Sequence, residues 1–285
     1  MKWRGRQGSR NIEDRRRSGG RRGGAVGGLG IGGVLIVLLL GWVLGIDVTP
    51  FLQGGGGSVQ TGPQAQITQA DEEAAQFVSV TLRDTEIVWD RVFADQLGAQ
   101  YRPPTLVLYK GVTQSPCGGA SGATGPFYCP ADQKAYLDTA FFVTLSRQLG
   151  AKGDFAAAYV VAHEIAHHVQ NLAGILAEAN NARHRMNQTD SNRVSVMIEL
   201  QADCYSGIWA RYAQEQLGTL ERGDLQEAVN AARQIGDDTL QRNAGRSPNP
   251  HTFTHGTSAQ RQSWFARGYE TGRMDQCDTF RAQRL

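Results

Sequence analysis

Residues 156–168 read Ala-Ala-Ala-Tyr-Val-Val-Ala-His-Glu-Ile-Ala-His-His. The alanine-rich, apolar first half favours a buried helix, because Ala has the best helix propensity and no polar face interrupts the run. On such a helix His163 and His167 stand four residues apart on one face, with Cβ atoms roughly 5–6 Å apart. Both imidazoles can then reach a single Zn²⁺, while Glu164 projects beside them toward the metal's open position. With only six histidines in the chain, a chance HExxH has a probability of about half a per cent. The competing reading, a plain buried helix with satisfied histidines, is disfavoured on that ground.

A zinc ion that keeps one position open needs three protein ligands, so the pair must be completed from elsewhere. The best candidate is Glu199 in Glu199-Leu200-Gln201-Ala202-Asp203, on a helix expected over about 192–217. Its neighbours Met197, Ile198, Leu200, Ala202 and Ile208 argue for a buried helix rather than a solvated charge. Asp203 is one turn later on the same face and suits a carboxylate that accepts the free ring N–H of a zinc-bound histidine, which fixes the tautomer. His168 is an alternative to His167, although i, i+4 geometry favours His167. His184, in a polar stretch, is a weaker alternative third ligand. In the segment Pro250 to Arg261, Thr257 and Gln260 have capping-box spacing and should begin the last helix. His255, just before it, could donate a hydrogen bond to an oxyanion or serve equally well as a cap or core histidine. His251 has less to recommend it.

The ends of the chain differ in character. Residues 1–22 carry Lys2, Arg4, Arg6, Arg10, Arg15, Arg16, Arg17, Arg21 and Arg22 against Glu13 and Asp14, and residues 23–46 carry no charge. A helix of that uncharged length spans about 36 Å, enough for a bilayer core. The next basic residue is Arg83, so the positive-inside rule expects residues 1–22 as a basic cytoplasmic tail. The expected organisation is then a transmembrane helix at 23–46, a Gly/Ser-rich flexible linker at 47–67 and an extracytoplasmic domain at 68–285. No small-residue cleavage site follows the apolar run, which favours an uncleaved, single-pass anchor in the cell membrane. Arginine runs also bind phosphate, but fusion to a membrane segment makes topology the simpler reading, and no nucleic-acid partner is expected.

Within 68–285, helical spacing is expected from Asp71 to Leu97 and over about 139–149, 155–173, 223–236 and 258–274. Thr105–Tyr109 and Lys134–Asp138 read as strands, with a Gly/Ser-rich loop from Ser115 to Gly125. The four cysteines contain no C-x₂-C pair, which argues against a cysteine-ligated zinc. An exported domain meets an oxidising environment. Of the three possible connectivities, Cys117–Cys129, closing the Gly-rich loop, and Cys204–Cys277, tying two helices, are preferred. Buried free thiols are the alternative.

Four blocks carry a resemblance: Gly125-Pro126-Phe127-Tyr128-Cys129-Pro130-Ala131-Asp132, His163 to His168, Glu199 to Cys204, and His255-Gly256-Thr257-Ser258-Ala259-Gln260-Arg261. Together they resemble the bacterial "putative neutral zinc metallopeptidase" family of membrane-anchored zincins. The Glu199–Asp203 block also resembles the E-x-x-x-D helix of the gluzincins, the thermolysin-like zincins. The resemblance implies an α+β zincin-like fold, mostly helical with a small edge sheet, in which the Phe127–Leu137 region edges a substrate cleft. It also implies Glu199 as third ligand. The long separation between His167 and Glu199 departs from the compact thermolysin arrangement. The expectation is therefore a zinc-dependent peptidase with one Zn²⁺ per chain, Glu164 as general base and a peptide or protein as substrate. The rival is a noncatalytic anchored module with a structural zinc or a peptide-binding role.

Overall fold

In the computed structural model, which describes residues 1–17, 66–121 and 125–285, the chain opens with β1 (Ile12–Asp14) and α1 (Gln69–Val92). Five strands follow: β2 (Thr105–Tyr109), β3 (Val112–Ser115), β4 (Gly118–Ser121), β5 (Phe127–Cys129) and β6 (Lys134–Asp138). The second half is helical: α2 (Phe141–Arg147), α3 (Asp154–Leu172), α4 (Ile175–Arg183) and α5 (Gln188–Tyr212). It ends with α6 (Asp224–Gln234), α7 (Asp237–Asn243) and α8 (Ser258–Thr271). The architecture is α+β, mostly helical with a small sheet.

Four strands form one sheet in the order β1-β2-β6-β5, with β1, β2 and β6 parallel and β5 antiparallel to β6. Side chains alternate across it as strand geometry requires. Leu106, Leu108, Ala135 and Leu137 join the main helical core, whereas Val107, Tyr109 and Tyr136 form a second cluster with Ala120 and Cys129. Both faces are thus covered, and this explains why Thr105–Tyr109 reads as an apolar run rather than an alternating one. The second face is closed by the β3–β4 hairpin and the Cys117–Cys129 disulfide. A plain loop was expected over Ser115 to Gly125. Glycine and serine hid the hairpin, because they lack the branched and aromatic side chains that mark strands.

Helix α3 runs through the centre, and every residue from Phe155 to Ala166 is buried. No side chain of its own caps its first turn, so the Glu227 carboxylate of α6 accepts from the Phe155 N–H at 3.0 Å. Helices α5 and α8 cross at very close range. A Cβ on Gly268 would lie 1.8 Å from the Cys204 carbonyl oxygen, and one on Gly207 would lie 2.0 Å from the Phe265 oxygen. The Cys204–Cys277 disulfide lies beside this crossing and ties α5 to the segment after α8. The capping box of Thr257 and Gln260 starts α8 as its spacing predicts, and both disulfides follow the preferred pairing.

Besides the β3–β4 hairpin, α4, α7 and β1 escaped sequence reading. Helix α4 buries only Leu176 and Ala179, so its apolar stripe is too thin to register. Helix α7 is only seven residues long. Strand β1 has no local signature, because it exists only through pairing with β2. That last point bears on residues 1–22, expected as a basic cytoplasmic tail: residues 1–17 pack against the domain. Met1 and Trp3 are buried, and Arg6 makes paired 2.6 Å hydrogen bonds with the buried Asp84. No helix among the described residues is long and apolar enough to cross a membrane. The expected span at 23–46 and most of the linker at 47–67 lie outside the described residues.

Gly268→Ala should therefore force α5 and α8 apart and cost about 1–3 kcal/mol, the usual range for overpacking. Thermal unfolding followed by circular dichroism should show a lowered midpoint, and an unchanged one would contradict the close crossing.

Candidate metal centre

Helices α3 and α5 face each other at the His-Glu-x-x-His turn. His163 Nε2 lies 3.0 Å from Glu199 Oε2, and His167 Nε2 lies 3.5 Å from Glu199 Oε1. Ligand atoms of His163, His167 and Glu199 all fall within 4.8 Å of one another, and the histidine rings stand nearly perpendicular.

The other side of each ring fixes what these atoms are. His163 Nδ1 is 3.0 Å from Asp203 Oδ1. Asp203 is fully buried and also accepts from Arg261 Nε at 2.8 Å, from Arg261 Nη2 at 3.0 Å and from the Tyr159 hydroxyl. Burial raises the Asp203 pKa, but Arg261 and His163 outweigh it and hold the carboxyl below its ordinary range. An ionised carboxylate only accepts, so His163 Nδ1 carries a proton, which leaves Nε2 as the ring atom that faces Glu199. His167 reaches the same state by another route. Its Nδ1 is 2.8 Å from Gln170 Oε1, while Gln170 Nε2 donates to the Ile198 carbonyl at 2.8 Å. A carbonyl cannot donate, so this bond sets the amide orientation and makes His167 Nδ1 the donor.

Two imidazole Nε2 atoms and a carboxylate thus converge, with the Nδ1 atoms already engaged by Asp203 and Gln170. Such a set fits a divalent cation of zinc's preferences, since neutral histidine nitrogen and carboxylate oxygen are its usual ligands. In the chain alone a proton substitutes: burial opposes a charged His163, yet Asp203 and Glu199 hold its pKa up at about 10. Glu199 is likewise held well below the carboxylate range by His167 and His163 against the opposing effect of burial. Burial lowers the pKa of His167.

Glu164 is buried beside this set, and no described side chain hydrogen-bonds to it. Burial pushes its carboxyl up to about 7, with the Glu199 charge adding to the rise and His163, Arg261 and His255 opposing it. His255 is held by Asp237, the first residue of α7. Asp237 Oδ2 accepts from the backbone N–H groups of Thr254, His255 and Gly256 at 2.8, 2.6 and 3.0 Å, and Oδ1 lies 3.2 Å from His255 Nδ1. Although burial disfavours the cation, Asp237 raises the His255 pKa, and the imidazole acts electrostatically on both Glu164 and Glu199. Thr257 rather than His255 caps α8.

The other histidines stand apart. His168 is buried between the Tyr128 hydroxyl at 3.0 Å and the Arg102 carbonyl at 2.7 Å. His184 and His251 are exposed. Tyr159, Gln170, Asp237 and the role of Arg261 escaped the sequence reading. Tyr159 and Gln170 could have been found from their i−4 and i+3 positions around the two histidines, whereas Arg261 and Asp237 carry no such signal. A second group of carboxylates, Asp154, Asp224 and Glu227, is already engaged: the Met1 ammonium pairs with Asp154 and Asp224, and Glu227 caps α3.

The chain belongs to the family described as "putative neutral zinc metallopeptidase", whose model matches residues 1–280. It is 46% identical to the uncharacterized protein YpfJ of Escherichia coli K12 over 288 residues, covering 98% of this chain and 99% of that protein. It is also 46% identical over 195 residues to the uncharacterized protein Rv2575 of Mycobacterium tuberculosis H37Rv, covering 65% of each chain. No solved structure matches it.

Arg261→Ala should leave the Asp203 carboxylate without its buried cation and lower stability by about 3–5 kcal/mol. Denaturant titration should record that loss, with partial recovery in Arg261→Lys. Wild-type stability in Arg261→Ala would show that Tyr159 and His163 suffice for Asp203.

Proposed function

We propose that this protein is a zinc-dependent peptidase that hydrolyses peptide bonds in peptide or protein substrates, with one Zn²⁺ per chain held by His163, His167 and Glu199. The observation that carries this reading is the convergence of the two histidine Nε2 atoms and the Glu199 carboxylate, each imidazole oriented by its own acceptor. Bound there, Zn²⁺ would polarise a scissile carbonyl and make water acidic near neutral pH. Glu164 is the proton carrier: it takes the proton from the attacking water and returns it to the departing amine. Its buried carboxyl, to which no described side chain hydrogen-bonds, suits that exchange, because a side chain fixed by a strong protein donor would have to give that bond up. His255, backed by Asp237, supports the oxyanion that develops as the carbonyl is attacked.

The rival is a noncatalytic module in which the metal only ties α3 to α5. A structural zinc takes a closed set of four protein ligands, whereas the described residues offer three here. A structural role also gives no account of a carboxylate at position 164. The uncharged run at 23–46 supports membrane attachment, and two disulfides support an oxidising compartment for the domain.

The purified protein should carry close to one Zn²⁺ per chain by elemental analysis and should lose peptide cleavage on chelation. Glu164→Gln should keep the zinc and lose cleavage, while Glu199→Ala should lose both. Asp203→Asn should weaken zinc affinity or activity by about 10–100-fold. Undiminished cleavage by Glu164→Gln would exclude the mechanism. A zinc-loaded wild type that cleaves no member of a broad peptide library would favour the structural rival.

A further inference from the structure

The first 17 residues hold to the domain along their whole length. The Lys2 N–H donates to the Thr219 carbonyl at 2.7 Å, and Trp3 Nε1 donates to Asp154 at 3.2 Å. Trp3 packs edge-on against Phe77 of α1. Arg6 grips Asp84, whose side chain is 1% exposed. Asn11 donates to Glu86 at 2.8 Å. On either side of β1, the Asn11 carbonyl accepts from Leu106 N–H at 2.8 Å, and the Arg15 N–H donates to the Leu108 carbonyl at 2.7 Å. Arg16, itself buried, reaches the Asp71 carbonyl at 2.8 Å and Glu72 at 3.0 Å.

These contacts compete directly with the topology that the charge pattern suggests. A single crossing at 23–46 would separate residues 1–17 from the domain by a hydrocarbon core about 30 Å thick. Strand pairing needs the two backbones within about 5 Å. Both conditions cannot hold in one folded molecule. The basic residues also have another use, since Arg6, Arg15, Arg16 and Arg17 each meet a carboxylate. Positive charge consumed in docking is not by itself a cytoplasmic address. The family match begins at residue 1, so this segment falls within the matched unit.

We propose that residues 1–17 and 66–285 occupy the same compartment, with the basic N-terminal segment docked as the edge strand of the metallopeptidase domain. The domain surface that receives it is built from the β2 edge, the Asp84 and Glu86 carboxylates of α1, and Asp154 at the start of α3. A segment exchanged between two copies would obey the same constraint. The proposal is independent of the catalytic reading, because neither readout below involves hydrolysis.

The full-length protein in its native membrane supplies the test. The four native cysteines are paired, so a cysteine introduced at an exposed position is the reactive one. Arg4→Cys and Met186→Cys suit this purpose, the Arg4 side chain being 71% exposed and Met186 42% exposed. With a membrane-impermeant maleimide, both positions should label before permeabilisation, or both only afterwards. Labelling of one before and the other only afterwards would overturn the proposal. Arg6→Ala, which strands Asp84, should lower the thermal midpoint of the full chain by about 4–8 °C. An unchanged midpoint would overturn the docking.

Discussion

The buried Asp203 carboxylate is the constraint around which the second half of the molecule is arranged. It sits on α5, receives His163 and Tyr159 from α3, and receives a forked guanidinium from α8 through Arg261. Removing a carboxylate from water is costly unless every acceptor position is used. Here the satisfying groups come from two helices, α3 and α8, so the charge can be buried only when both have assembled against α5. The same carboxylate then dictates the His163 tautomer, which makes Nε2 available to a metal. Packing and chemistry are joined at one atom pair.

A second relay does the equivalent for His167 without a charge. Gln170 orients the imidazole, Ile198 and Gln201 orient Gln170, and Gln201 in turn donates to the Cys277 carbonyl at 3.1 Å. That carbonyl belongs to a residue disulfide-bonded to Cys204 on α5. The covalent link therefore holds the acceptor at the end of the relay, and the close α5–α8 crossing beside it leaves little room for drift. Two histidines on adjacent turns are thus oriented by different means, one through a charged cluster and one through neutral amides.

The N-terminal segment puts a charge pattern to a second use. Nine basic residues ahead of an apolar stretch carry the statistical mark of a cytoplasmic flank. In the fold, several of those arginines are partners for acidic residues on α1, and the intervening Ile12–Asp14 is a strand. Net charge along a sequence does not reveal whether each cation has a partner elsewhere in the chain. That partner becomes visible only when distant segments are brought together.

Much of the site was legible in the sequence because its spacing is local. His163, Glu164 and His167 follow from the helical period, as does the placement of Glu199 and Asp203 one turn apart. The strands Thr105–Tyr109 and Lys134–Asp138, the capping box at Thr257 and the approximate extent of α3 and α5 follow from equally short-range rules. The tertiary structure alone decided which carboxylate meets which ring nitrogen, that Arg261 closes the Asp203 cluster and that Asp237 holds His255. It also decided that Ile12–Asp14 add the edge strand of the sheet. Each of these depends on contacts between residues far apart in the chain, 58 positions in the case of Arg261 and Asp203. Local periodicity cannot encode such contacts, because the chain must first close the intervening loop and bury the surfaces on either side.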